Sequence, residues 1–562
     1  MKSLRKIIDN EILMFFTMAV LCLAVFAFPL VRTHGLEGVT GDMMYHLLRI
    51  EGIKTGLVNG EFPVRIYTNY LNGYGYGTSF FYPDVFFYYP AILRLLGINP
   101  IVVWKIFLLT ITFFIVLTTY FSLKYIIRSS KWAIAGTFLI VLSQIYLAES
   151  LKRVGISEYL AYIFMPILMA GIYDLCNYKA KRAYLIGIGM GGLLLSHTIM
   201  TFLGFTVSIL IIVLSMVITK SYSHIFNISV IKKLIVTAAI TFFAVSGYFL
   251  PLLEQMISND FIYKHPWANI SDHVQPFYTL LLDHIGYFDE MIAYICIGMP
   301  IFFIIGLRLV YKPDNKYPDL FLFLGLFIYL ATTVKPLWKI LSHTIFNMIQ
   351  FPYRLYPYAL FCVVLGLMLL FSEKVPEARV NTVIGFIVAT SLFWGIKQSK
   401  EYNANEITNN FTEQTLIDNS NYIARGEWLP YSVDDDVKTL TATDKVLTYE
   451  DEIDCDRNGS SLVFESKKDV MSYTVPLVYY KGYSAKIVKN NRTESKLKVS
   501  QTDNGLVAVE NEQNYEGTVT VYYDGTMIQK GTFVLSVVTF VVLIFIGSCK
   551  FFKIHMKSVL FG

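Results

Sequence analysis

Apolar runs long enough to cross a membrane recur about twelve times along this chain, and no soluble core could hide so many. A run of about 20 apolar residues is the length an α-helix needs to traverse the hydrocarbon of a bilayer. There every backbone amide must be satisfied within its own segment. The runs lie near 11–32, 101–126, 132–148, 157–176, 183–199, 201–219, 233–252, 289–311, 319–334, 355–372, 381–397 and 532–549. Charged residues supply only 16% of the sequence, against about a quarter in a soluble chain. The expected fold class is a polytopic α-helical membrane protein. The first run is long and lacks a small-residue cleavage site, so it reads as a retained span.

Loop charges orient the spans. Lys2, Arg5 and Lys6 precede the first run; Lys124, Arg128 and Lys131 separate the second from the third; Lys179, Lys181 and Arg182 follow the fourth. Lys232 and Lys233 precede the seventh, and Lys550, Lys553 and Lys557 follow the last. The positive-inside rule puts all of these on the cytoplasmic side, with both termini cytoplasmic. The expected location is the cytoplasmic membrane, with the loops carrying Asp42, Glu158, His197, His265 and Arg354 outside.

The formal charge of +5 combines a segment 399–530 holding 14 basic and 22 acidic residues with a basic remainder. That basic excess belongs to the cytoplasmic loops and to membrane-proximal cations, so nucleic acid is not an expected partner. Of the six cysteines only Cys455 lies clear of the apolar runs, so no disulfide framework is implied.

Three parts follow from the pattern. Residues 1–398 form the transmembrane domain, with a long first external loop over 33–100. Residues 399–530 lose the apolar runs. They carry stretches such as Ser472–Tyr483 and Gly517–Gly525, β-branched and aromatic and punctuated by Gly and Asp, which predict a small external β-rich domain. Residues 531–562 supply the last span and a cytoplasmic tail. Within the first loop, Asp42–Asn59 reads as a helix stopped by Gly60. Val85–Leu96 is too short to span and reads as a helix lying in the interface.

The membrane-proximal ionisable residues expected outside are Asp42, His46, Arg49, Arg65, Asp84, Arg153, Glu158, His197, His265, His273 and Arg354. Acids beside cations at a lipid surface suit group transfer from a phosphate-bearing lipid. An acid takes the proton of the incoming hydroxyl or holds a metal, and an arginine neutralises the leaving phosphate. Asp42 and His46, four apart, lie on one helix face, and Arg49, seven on from Asp42, joins them. Asp42 also suits a plain N-cap, and Glu158 a first-turn acid favoured by the helix dipole. Arg354 likewise suits an interfacial arginine reaching toward ordinary headgroups. The chain has no Walker-type phosphate loop, no His-Glu-x-x-His and no Cys-x-x-Cys, which argues against ATP-driven transport and metalloprotease chemistry.

In order along the chain come Asp42 with His46, then Glu61-Phe62-Pro63-Val64-Arg65, Gly73-Tyr74-Gly75 and Phe81-Tyr82-Pro83. Arg153-Val154-Gly155 with Glu158, Ser196-His197-Thr198, Gln350-Phe351-Pro352-Tyr353-Arg354 and Pro476–Tyr483 follow. This series resembles the YfhO-type bacterial membrane proteins and the related family labelled "6-pyruvoyl-tetrahydropterin synthase-related", which are similar to the GT-C glycosyltransferases. The resemblance covers nearly the whole chain, and its specificity lies in the order of the motifs. It implies a GT-C-like fold of about twelve helices and inverting transfer of a sugar from a polyprenyl-phosphate donor on the outer membrane face. The acceptor it implies is a cell-envelope glycopolymer, teichoic-acid-like or another polysaccharide, of the Gram-positive kind.

In the GT-C class an Asp of the first external loop is the usual catalytic residue, which maps to Asp42. The residue chemistry adds Glu158 and His46 as supporting or metal-binding groups, Arg354 as first choice and Arg153 as second for the donor phosphate, and His197, Arg65 and Tyr82 as further substrate-binding candidates. A divalent cation (Mg or Mn) on Asp42 and Glu158 stays open, and the expected partners include membrane lipid, a donor synthase and a flippase. The acidity of 399–530 does not favour a polyanionic acceptor by simple attraction. Two other classes fit the same sequence: a flippase or transporter for lipid-linked precursors, which would place polar residues deep in the spans, and a non-catalytic envelope-assembly partner.

Overall fold

The computed structural model describes residues 2–32, 42–220, 222–265, 268–277, 306–403, 413–419, 426–433 and 444–560. Trp267, Asp283, His284 and most of the run 289–311 lie outside the described residues. The chain forms two compact units. One comprises Met1–Met43, Asn99–Thr237 and Pro266–Thr412; the other comprises Met44–Ile98, Ala238–His265 and Glu413–Gly562.

Among the described residues, eight helices are long and apolar enough to cross a membrane, or ten if each bent pair is one span. The predicted run 132–148 is such a pair, Ser130–Val141 and Gln144–Arg153, bent by 47°. The run 319–334 belongs to another, Tyr317–Ala331 and Lys335–Leu341, bent by 80°, with Pro336 in the first turn of the second piece. The run 183–199 gives only the short helix Tyr184–Leu194. It is cut because His197 takes an extended backbone and caps the next helix, accepting the Met200 amide on Nδ1. Counting apolar residues cannot see a cap, so the expected run continues to 199, past the helix end at Leu194.

In the first unit, Ile156–Tyr178 is the most enclosed helix, with nearly its whole apolar length buried. Tyr356–Lys374 packs along Tyr317–Ala331 so closely that a Cβ on Gly366 would stand 2.7 Å from the Leu322 amide nitrogen. Small residues at such crossings let helices meet by van der Waals contact, the main attraction available in lipid.

The second unit carries the helices Met43–Val58, Tyr88–Leu95 and Met527–Leu560 and a closed antiparallel barrel. Its strands are β1 (Lys445–Leu447), β2 (Glu452–Asn458), β3 (Ser461–Glu465), β4 (Ser472–Val478), β5 (Tyr483–Lys489), β6 (Glu494–Gln501), β7 (Leu506–Glu510) and β8 (Gly517–Tyr523). Around the barrel the order is β1-β2-β3-β8-β5-β6-β7-β4. Alternate residues point inward, so Leu462, Phe464, Ile487, Val519 and Val521 fill the interior. Closure removes the exposed strand edges that an open sheet would present. The predicted run Ser472–Tyr483 becomes β4 and the first residue of β5, joined by a connection in which Gly482 takes φ 130°. Within β4 the register against β7 shifts between Val475 and Val478, around Pro476, which has no amide hydrogen to donate.

The interfacial reading of Val85–Leu96 has a counterpart in the helix Tyr88–Leu95, whose exposed apolar residues Tyr89 and Ile92 share a stripe with Leu96 at its C-cap. On the other side Arg94 is buried against Glu51. The Phe62 ring bridges Tyr88 and Phe533 of the last span, at 5.7 Å from each. The stripe thus adjoins a helix built to face lipid. A fluorophore on a cysteine at Ile92 should therefore be shielded from aqueous iodide in proteoliposomes. Iodide access matching that at Tyr449, fully exposed on the β1–β2 turn, would place the stripe in water.

Candidate active site

The first unit gathers six ionisable side chains, Asp42, Glu149, Arg153, Glu158, His197 and Arg354, into one cluster. The turn Glu149–Arg153 is π-helical and ends at Val154 in a left-handed conformation (φ 60°, ψ 33°), unusual for a β-branched residue. Such strain costs about 1–3 kcal/mol and persists where the surroundings over-determine it. Here Arg153 is fixed on one side of it and Glu158 on the other. Gln350, also at positive φ, closes the turn before Arg354. Thus two non-glycine residues in rarely populated backbone regions flank the cluster.

Glu158, in the first turn of Ile156–Tyr178, is its centre, with a side chain only 3% exposed. Its Oε2 stands 2.8 Å from Arg153 Nη1, and its Oε1 accepts from Arg153 Nη2 at 3.0 Å and from Arg354 Nε at 2.6 Å. A carboxylate gripped by two guanidiniums, one through both of its oxygens, is the arrangement that makes a buried acid tolerable. Arg354, 5% exposed, also donates to the Ile349 carbonyl and to Gln350 Oε1. His197 uses Nδ1 as the helix cap, so Nε2 carries the ring proton, 3.7 Å from Glu158 Oε1.

Arg153 reaches two further acids: Nη1 donates to Glu149 Oε1 at 2.7 Å, and Nη2 lies 3.8 Å from Asp42 Oδ2. Asp42 differs from the rest, with a side chain 46% exposed and, among the described residues, a single long ion pair, to Arg153. The cluster therefore consists of one accessible carboxylate above a buried, mutually paired network.

The structure brings Asp42, Arg153, Glu158, His197 and Arg354 together within this unit. Glu149 and Gln350 are members that the sequence reading did not single out. Glu149 lies just past the apolar run 132–148 and looked like the end of a span. Its i,i+4 spacing to Arg153 was the available signal.

The other predicted site residues belong to the second unit. His46 is buried, its ring stacked on Phe87 and its Nδ1 3.2 Å from Arg49 Nη1. Arg49 is wholly enclosed by the Phe87, Tyr82 and Tyr45 rings, the Pro83 carbonyl and Asp84 at 2.6 Å. Burial opposes its charge, but the Asp84 carboxylate outweighs that and raises its affinity for the proton. Burial, reinforced by the same carboxylate, pushes Tyr67, which donates to Asp84, well above the ordinary phenol range. The Arg65 guanidinium donates to the Gly247 carbonyl at 3.3 Å beside the Phe80 ring. Tyr82 packs against Tyr45 and Trp428. The expectation that Asp42 and His46 share a helix face does not hold, because the helix starts at Met43 and Asp42 precedes it.

A divalent cation does not fit the residues expected to hold one. Both Glu158 oxygens are taken by guanidiniums, and Asp42 alone is no ligand set. Among the described residues no group of three or more His, Cys, Asp or Glu side chains could hold an ion.

No family model and no curated protein matches this chain. Among solved structures it is similar to the arabinofuranosyltransferase AftD from Mycobacteria, at 13% identity and a TM-score of 0.42, over 69% of this chain and 27% of that one. It is also similar to the oligosaccharyltransferase of Archaeoglobus fulgidus. For the complex with Zn and sulfate the identity is 13% and the TM-score 0.39, over 71% and 54%; for the apo form they are 14% and 0.39, over 71% and 56%. The chain spans between about a quarter and just over half the length of these proteins.

Proposed function

We propose that the protein is a GT-C-type glycosyltransferase that moves a sugar from a polyprenyl-phosphate donor to a cell-envelope glycopolymer at the outer face of the cytoplasmic membrane. The observation that carries this reading is the half-exposed Asp42 carboxylate 3.8 Å from an arginine that two buried carboxylates hold in place. That pair supplies what the reaction needs. Asp42 takes the proton of the acceptor hydroxyl as its oxygen attacks the anomeric carbon. The bond from that carbon to the phosphate oxygen breaks, and polyprenyl phosphate leaves with the electron pair. Arg153, the guanidinium beside Asp42, faces the charge that develops on the phosphate.

The geometry shifts one assignment made from sequence. Arg354 was the first choice for the donor phosphate, but it lies in the buried layer on Glu158. In this mechanism Arg153 meets the phosphate, and Arg354 and Glu158 position it. His46 has no proton-transfer role here.

The cluster occupies helix ends: a π-turn, a first turn, a cap and a pre-helical turn. Helix ends suit chemistry at a membrane surface better than a conduit through spans. The direct test uses purified protein in lipid vesicles with a radiolabelled polyprenyl-phosphate sugar and an envelope polysaccharide. Label should appear in polymer. Movement of intact donor between leaflets without transfer would replace the enzyme by the transporter reading.

The topology belongs to the same proposal. A cysteine introduced at Ser432 should react with an impermeant thiol reagent in intact cells, and one introduced within 177–182 only after permeabilisation. The reverse pattern would invert the protein and remove the outer-face site.

A further inference from the structure

Glu149 is one of the two acids that hold Arg153, and no step of the mechanism above assigns it a role of its own. It is 6% exposed, and a carboxylate does not stay buried without a partner of opposite charge. Its Oε1 receives Arg153 Nη1 at 2.7 Å, from a residue one turn along the same π-helical segment. Arg153 is thereby held on two sides, by Glu149 and by Glu158, and its Nη2 edge is the one that faces Asp42.

A second observation concerns Gly155. Its backbone (φ −74°, ψ 66°) is open to any residue, so no turn requires glycine here. A Cβ at this position would lie 2.1 Å from Glu149 Oε1 and 3.0 Å from Arg153 Nη1. The missing side chain is the space in which the Glu149 carboxylate sits.

We propose that Glu149 is a positioning residue: seated in the space left by Gly155, its carboxylate aims the Arg153 guanidinium at the anionic group bound beside Asp42. The identity of that anion, a lipid phosphate, rests on the glycosyl-transfer reading. The positioning role rests on the contacts alone. Glu149 acts through a hydrogen bond, so its acceptor oxygen matters more than its charge. This sets the sign of each variant. Glu149→Gln keeps an acceptor oxygen in place and should stay within about threefold of the parent. Glu149→Ala removes it. Gly155→Ala leaves the charge in the chain but displaces the carboxylate. The last two should weaken phosphate binding by about tenfold, the factor of one lost hydrogen bond to a charged group.

The experiment titrates polyprenyl monophosphate into the full-length protein in nanodiscs, following binding independently of turnover, and adds donor KM and kcat where transfer is measured. The expected pattern is a raised Kd and a raised donor KM in Glu149→Ala and Gly155→Ala. Glu149→Gln should be nearly normal, and acceptor KM unchanged throughout. Equal Kd in all four proteins would overturn the positioning role while leaving the proposed reaction standing. So would a loss in Glu149→Gln as large as in Glu149→Ala. If Glu149→Ala fails to accumulate, Gly155→Ala and Glu149→Gln still decide the matter, one displacing the oxygen and the other keeping it. A parent protein that binds no polyprenyl phosphate would overturn both the donor assignment and this inference.

Discussion

Asp42→Asn protein is expected to insert and accumulate like the parent and to lose transfer by ~10²–10⁴-fold, the usual contribution of general-base catalysis. The substitution exchanges one oxygen for an amide nitrogen at constant shape. Asn caps helices about as well as Asp, so a residue that merely opens the helix Met43–Val58 would be insensitive to it. The structural cost is also small. The Asp42 side chain is 46% exposed and its ion pair with Arg153 is 3.8 Å long, a pairing that contributes little in water. The variant leaves Arg153 its pairs with Glu149 and Glu158 and its place over the Tyr353 ring. A large loss of rate with normal abundance would therefore report chemistry. The measurements are envelope-polymer glycan composition in cells carrying only this variant, and initial rates with purified protein. Polymer glycosylation near the parental level would remove Asp42 from the mechanism.

The sequence announced some parts of this arrangement and hid others, for reasons specific to each residue. Spans could be read because lipid imposes length and composition on them. Asp42, Arg153, Glu158, His197 and Arg354 could be picked out because charge at the end of an apolar run is costly and seldom idle. What could not be read is which of them pair. Arg354 reads as a cation for the donor phosphate, and only the fold brings Glu158 onto it from a distant segment. His46 illustrates the opposite error. Its spacing from Asp42 fits one helical turn, but spacing means nothing where the helix has not begun, and the ring packs instead on Phe87 beside Arg49. The barrel strands could be seen in the period-two pattern of 472–483 and 517–525. Their closure could not, since β8 pairs with β3 and β5 rather than with its neighbour in sequence. Gly155 gave no signal, because a glycine needed for space and not for conformation looks like any other.

Glu158→Gln is expected to be the most damaging single substitution in the cluster, acting on stability and on rate together. The carboxylate is 3% exposed and accepts from Arg153 and Arg354 through both oxygens. Gln supplies one acceptor, and its amide nitrogen must then face a guanidinium, donor against donor. Removing one member of a buried ionic group strands the others, at about 3–5 kcal/mol. Arg354 keeps the Ile349 carbonyl and Gln350, while Arg153 keeps Glu149 but loses its two-pronged hold. Thermal unfolding in detergent should fall by several degrees, and residual folded protein should transfer at no more than about 1% of the parental rate, since Arg153 would no longer be aimed. Because the residues act as one unit, their losses should not add. Removing Arg354 as well, as Glu158→Gln with Arg354→Met, takes away one of the stranded cations. That double variant should be no less stable than Glu158→Gln alone. A double variant whose destabilisation equals the sum of the two single losses would show that Glu158 and Arg354 do not depend on each other. It would dissolve the buried layer on which the placing of Arg153 rests.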